Sequence, residues 1–95
     1  MQAFMYYVYI IRCSDGNFYT GITWNLRKRF REHQEGKGAL FTKSRLPLEL
    51  VYYEELEDKY QAAAREKIVK DMSRKKKLYL INTKRVYFER SEKRK

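Results

Sequence analysis

Cysteine occurs once in the 95 residues, at Cys13. That excludes an intramolecular disulfide and fits a reducing compartment. Cys13 ends an apolar run with no local group to depress its pKa, so a half-buried structural thiol is expected, not a nucleophile. No apolar run approaches the roughly 20 residues of a membrane span. The opening Met1-Gln2-Ala3-Phe4 lacks the basic region of a signal peptide, so a cytoplasmic protein is expected. No internal repeat is visible. Acidic residues are also few, 12 against 22 lysines and arginines, leaving a net charge of +10. Such an excess points to an anionic partner, and nucleic acid is the usual one. An anionic membrane surface fits less well, because no basic helix with a bulky apolar face stands out. A protein adaptor using its aromatics would leave the charge unexplained. The length allows one domain with a small core.

The apolar and aromatic run from Phe4 to Cys13 suits a central strand covered on both faces. Its parity divides Tyr7, Tyr9 and Ile11 from Tyr6, Val8 and Ile10. Ser14-Asp15-Gly16-Asn17 is turn chemistry, and Phe18 to Ile22 is a second strand. A helix from about Trp24 to Glu35 follows, capped by Thr23 or Asn25 and stopped at Gly36. Leu26 and Phe30 supply its packing stripe, with His33 on the same side. A basic loop runs from Gly36 to Pro47, and Leu48 to Leu56 reads as a third strand. Glu54, Glu55 and Glu57 at its end read as exposed charges. Asp58 and Gln61 form a capping box for a second helix to about Met72. Tyr60, Ala64, Ile68 and Met72 make its apolar stripe at spacing four. Periodicity alone makes Glu66 a surface residue paired with Lys70. A short helix from Ser73 to Ile81 and an extended segment at Val86-Tyr87-Phe88 complete the reading. The domain is expected to end near residue 83, leaving 84–95 as a basic, partly disordered tail.

Tyr7-Val8-Tyr9 and Tyr19-Thr20-Gly21, with Arg29 and His33 one helical turn apart and Glu66 further on, resemble the GIY-YIG endonuclease superfamily. The likeness covers roughly residues 4–80 and is nearest to its small stand-alone members. It implies an α+β fold, a small three-stranded antiparallel sheet flanked by helices in the order β-β-α-β-α-α. It also implies a catalytic set of Tyr9, Tyr19, Arg29 and His33, with Glu66 facing the sheet as metal ligand. Tyr7 and Val8 replace the family's first Gly and Ile, and Thr20 its second Ile. Asn82 lacks the family's Gly-Tyr-Asn-like context. Gly21 is expected to meet a backbone requirement.

A shared site demands a particular hairpin. A two-residue turn at Asp15-Gly16 would put Tyr9 and Tyr19 on opposite faces. A three-residue loop, Ser14-Asp15-Gly16 with Gly16 left-handed, sets Tyr9 beside Gly21 and Ile11 beside Tyr19. The second is expected.

Phosphodiester hydrolysis needs an activated water, relief of charge on the phosphate and help for the leaving oxygen. Tyrosine serves as a base only beside cations, since ~0.1% is ionised at pH 7. On this reading Tyr9 is the base, with Tyr19 in reserve. Arg29 pairs with the phosphate, and His33 positions water or phosphate. One Mg²⁺ or Mn²⁺ on Glu66 completes its shell from water and substrate. Arg27, Lys28 and Arg31 on the first helix, Lys37, Lys43 and Arg45 in the loop, and Lys75, Lys76 and Lys77 are candidate nucleic-acid contacts. The expected function is metal-dependent cutting of DNA, or of RNA, with little sequence specificity. The alternative is a nucleic-acid-binding module that keeps the fold without cleaving.

Overall fold

Seven residues, Tyr6–Arg12, form the central strand β1 of a three-stranded antiparallel sheet with the order β2-β1-β3. β2 is Phe18–Thr23 and β3 is Glu49–Leu56. The structure, a computed structural model, describes residues 5–93, with side chains described from 5 to 83. Phe4, read as the start of β1, lies outside the described residues.

Around the sheet run α1 (Leu26–Gln34), α2 (Leu40–Lys43), α3 (Lys59–Lys70) and α4 (Arg74–Lys93). The architecture is the expected α+β one, with α2 added inside the loop that was read as a connector. A helix of four residues is too short to carry a periodic signal. α4 is longer than expected and stays helical through 86–88, where an extended segment was expected. The last part of the basic tail, residues 94–95, lies outside the described residues.

The β1–β2 hairpin closes as a three-residue loop. The Cys13 amide donates to Asn17 O at 2.8 Å and the Gly16 amide to Cys13 O at 2.9 Å. Gly16 sits at φ +87°, where a side chain would be strained. The register therefore sets Tyr9 against Gly21 and Ile11 against Tyr19, as the shared site requires.

The two parities of β1 feed two cores. Val8 and Ile10 pack with Val51, Tyr52, Ala62, Val69 and Ile81, under α3 and α4. Tyr9, Ile11, Cys13 and Leu48 pack on the other face with Leu26 and Phe30 of α1. Cys13 is buried, more than the half-buried thiol expected, and burial raises its thiol pKa, which suits an inert structural role.

Asn25 caps α1, its side chain accepting from the Lys28 amide at 3.1 Å. Asp58 caps α3 by accepting from the Gln61 amide at 2.8 Å. Of the stripe expected on α3, Met72 packs against the core, whereas Tyr60, Ala64 and Ile68 do not. Ala62 and Val69 face the sheet, while Tyr60 and Ile68 point outward. Three consecutive alanines leave no unique apolar face, so spacing alone selected the larger residues. The small Ala62 lets the helix settle on the sheet.

Candidate active site

Register brings the chemistry together on the α1 face of the sheet. Tyr9 projects from β1 across Gly21 of β2. A Cβ on Gly21 would lie 2.6 Å from the Tyr9 hydroxyl and 3.2 Å from Cε2 of Tyr19. Gly21 is thus a space requirement of the tyrosine pair, whose ring centroids are 6.4 Å apart.

α1 delivers Arg29 and His33 to the same place. His33 is wholly buried, and its Nε2 lies 2.9 Å from the Tyr9 hydroxyl. Its Nδ1 lies 2.9 Å from Oγ1 of Thr42 on α2. The Thr42 hydroxyl spends its own proton on Ala39 O at 3.1 Å, so toward the imidazole it accepts. This fixes the tautomer. His33 donates from Nδ1–H to Thr42, and Nε2 accepts from Tyr9. Burial, then the nearby Arg29 charge, push the His33 pKa down to about 4, so the ring is neutral at pH 7.

Burial also moves Tyr9, up to about 12. A hydrogen bond from Arg29 pulls the other way, while the Tyr19 and Glu66 charges add to the rise. Arg29 divides its guanidinium between Glu32, at 2.9 Å, and the Tyr9 oxygen, and both hold its pKa up. Tyr19 meets His33 edge-on at 5.3 Å and stacks beside Phe41 at 6.1 Å between centroids.

Glu66 lies on the sheet side of α3 with Ala62 and Val69, with its carboxylate mostly shielded, and its charge is felt at Tyr9. It also pairs with Lys70 at 3.5 Å. Facing the sheet and pairing along the helix prove compatible.

Sequence reasoning missed two contributors. Thr42 is fully buried in α2, where one hydroxyl among several in a basic loop gives no signal. Gly38 lies against the imidazole, and a Cβ there would meet His33 Nδ1 at 2.3 Å.

The basic residues spread over several surfaces. Arg27, Lys28 and Arg31 are exposed on α1, Lys37 and Lys43 in the loop, and Lys75 and Lys76 at the start of α4. Lys77 is half-buried. Arg45 is engaged: its guanidinium donates to Asp15 at 3.0 Å and to Phe41 O at 2.8 Å, and lies 3.9 Å over the Phe41 ring. Glu54, expected to be exposed, forms a bidentate pair with Arg65 at 2.8 Å and accepts from the buried Tyr52.

The sequence model of the GIY-YIG catalytic domain matches residues 5–79. The chain belongs to the GIY-YIG family. It is also 46% identical to a UPF0213 protein of Clostridium perfringens, over 94% of this chain and 96% of that one. A UPF0213 protein of Staphylococcus saprophyticus is 46% identical over 81% of this chain and 94% of its own. The solution NMR structure of a UPF0213 protein from Bacillus halodurans superposes with a TM-score of 0.55 at 41% identity, covering 84% of this chain and 85% of that one. GIY-YIG membership places the chain in a nuclease superfamily whose substrates are nucleic acids and whose members generally use a divalent metal.

The donor set suits a sparsely held ion. Among the described residues no group of three or more His, Cys, Asp or Glu side chains converges. Those residues form no closed protein cage, and Glu66 offers a single carboxylate whose charge is felt at Tyr9. That fits Mg²⁺ or Mn²⁺ keeping most of its waters. Among the described residues no helix is long and apolar enough to cross a membrane.

Proposed function

We propose that this GIY-YIG domain hydrolyses phosphodiester bonds in DNA, with Tyr9 as general base and His33 as its proton acceptor. The observation carrying this reading is the polarised chain Tyr9–His33–Thr42–Ala39 O, with contacts of 2.9, 2.9 and 3.1 Å.

A tyrosine held at about 12 supplies almost no phenolate at pH 7. It acts as a base by passing its own proton on as it receives one. Water gives a proton to the Tyr9 oxygen, Tyr9 gives its hydroxyl proton to Nε2 of His33, and the water oxygen bonds to phosphorus. The bond from phosphorus to the leaving oxygen breaks, that oxygen takes a proton from solvent, and His33, a weak base at about 4, returns its extra proton through Tyr9 to water, which restores the neutral pair. Arg29 neutralises the phosphate and favours the transient negative charge on Tyr9. Tyr19 packs edge-on against the His33 ring and helps hold it in place. Glu66 would hold the divalent ion, which supplies charge relief for the phosphate and the leaving oxygen. The exposed Arg27, Lys28 and Arg31 bind backbone phosphates without reading sequence, so cutting is not sequence-specific.

A second reading, a binding module that does not cleave, draws on the high Tyr9 pKa and the spread of exposed cations. Nicking of plasmid and branched DNA with and without Mg²⁺ or Mn²⁺ separates the two. Metal-dependent nicking that disappears in Glu66→Ala and Arg29→Ala is the expected result. Binding without nicking, unchanged in Glu66→Ala, would leave the binding module.

A further inference from the structure

The relay from Tyr9 ends on Thr42, yet little in α2 itself holds Thr42 in place. The helix is four residues long, has no side-chain cap at its N-terminus and buries Thr42 alone of its residues. Leu40 is 83% exposed and Phe41 36%, so apolar burial does not anchor it. A single helical turn is also too short to be stable by itself. The fit at His33 is nonetheless close. Thr42 Oγ1 lies 2.9 Å from Nδ1, and Gly38 leaves no room for a Cβ against the same ring.

The contacts that fix α2 come from Arg45. Its amide donates to Thr42 O at 3.0 Å and its Nη1 donates to Phe41 O at 2.8 Å, so main chain and side chain together close the C-terminal end of the helix. The guanidinium also lies 3.9 Å over the Phe41 ring. The same residue reaches the β1–β2 loop. Its Nε donates to Asp15 at 3.0 Å, and its carbonyl accepts from the Ser14 amide at 3.0 Å. Asp15 is itself fixed, accepting from the Asn17 amide and the Asn17 side chain at 3.0 Å each. As an ion pair this contact is weak, because the two side chains remain 31% and 43% exposed. Its effect is geometric. One planar group joins α2 to the hairpin that sets the register of Tyr9.

We propose that Arg45, seated on Asp15, is a positioning residue of the relay: it pins α2 to the β1–β2 loop and so holds the Thr42 hydroxyl at Nδ1 of His33. The proposal rests on the relay reading of Tyr9, His33 and Thr42, but not on cleavage. Lysine cannot take the role, because one ammonium does not bond Asp15 and Phe41 O from a single plane while lying on a ring.

His33 is the one histidine of the chain, so its ring nitrogens give an unambiguous signal. ¹⁵N spectra of the full chain at pH 7, without DNA or metal, test the proposal. The wild type should carry the ring proton on Nδ1. Arg45→Lys keeps the charge but should lower the Nδ1–H population by about half or more, since the tautomer follows the hydrogen bonds of the ring. The amide signals of the three strands should stay in place. Asp15→Asn keeps an oxygen for the loop amides and removes the ion pair, so it should shift the tautomer the same way, less far. In a Thr42→Val background Arg45→Lys should change the tautomer no further, because the acceptor it places is already gone. If Arg45→Lys does not fold, Asp15→Asn decides by the same signal. A variant ring that keeps the wild-type tautomer, or a shift of equal size in the Thr42→Val background, would overturn the proposal. A wild-type proton on Nε2 would remove the relay reading beneath it. A wild type that does not nick DNA would sink the nuclease reading alone, since the tautomer is read without substrate.

Discussion

The Tyr9 hydroxyl donates to Nε2 of His33 at 2.9 Å, and both side chains are almost completely buried. Neither group can ionise cheaply in that position. The phenol is pushed up to about 12 and the imidazole down to about 4, so at pH 7 the pair sits as neutral phenol and neutral imidazole. The hydroxyl points at the imidazole while both groups stay neutral, and several measurable consequences come from it.

His33 links stability to pH. Its ordinary pKa of 6.5 falls to about 4 in the fold, so between these values the unfolded chain binds a proton that the folded chain refuses. The stabilisation is present above pH 6.5 and is lost as pH falls toward 4. Urea unfolding should report a loss of about 2 kcal/mol between pH 7 and pH 5 from this residue. His33→Gln should flatten that slope; an unchanged slope would mean that His33 titrates normally.

Thr42 fixes the imidazole tautomer. Thr42→Val keeps the shape but strands the buried Nδ1–H. It should cost about 1–3 kcal/mol in chemical unfolding, and Thr42→Ser should restore most of it. In ¹⁵N spectra of the wild-type ring the proton should reside on Nδ1.

Gly21 leaves no room for a methyl group. Gly21→Ala must displace the Tyr9 ring, because the new Cβ would lie 2.6 Å from its hydroxyl. A destabilisation of about 1–3 kcal/mol is expected in thermal unfolding. A wild-type melting curve would show that Tyr9 is not held there.

Arg27, Lys28 and Arg31 are exposed on one helix. If each neutralises a backbone phosphate, each alanine substitution should reduce the slope of log affinity against log salt by about one, without changing sequence preference. Titrations at several salt concentrations check this, and unchanged slopes would place the nucleic acid elsewhere.

The hairpin was legible because its register followed from local chemistry plus one demand, that Tyr9 and Tyr19 share a face. Ser14, Asp15 and Gly16 could satisfy that demand only as a three-residue loop, and they do. For Glu66, spacing alone supplied the pair with Lys70 that the structure shows, but not that its side of the helix, shared with Ala62 and Val69, is the one turned to the sheet. The outward turn of Tyr60 and Ile68 explains why: in a helix with Ala62-Ala63-Ala64, the small face packs and the large residues stay in solvent. Thr42 and Gly38 were not legible. Their roles arise from a tertiary approach of the loop to His33, which leaves no periodic trace in the chain. For Arg45, a candidate phosphate contact, the sequence does not reveal the pair with Asp15, thirty positions away.

The most direct test of the account is single-turnover DNA cleavage at saturating Mg²⁺, comparing wild type with Tyr9→Phe. The substitution removes one oxygen and leaves the ring packed over Gly21. The account predicts a rate lower by about 100-fold or more, the scale of a lost general base, with DNA binding unchanged. Cleavage by Tyr9→Phe within a few-fold of wild type would contradict it.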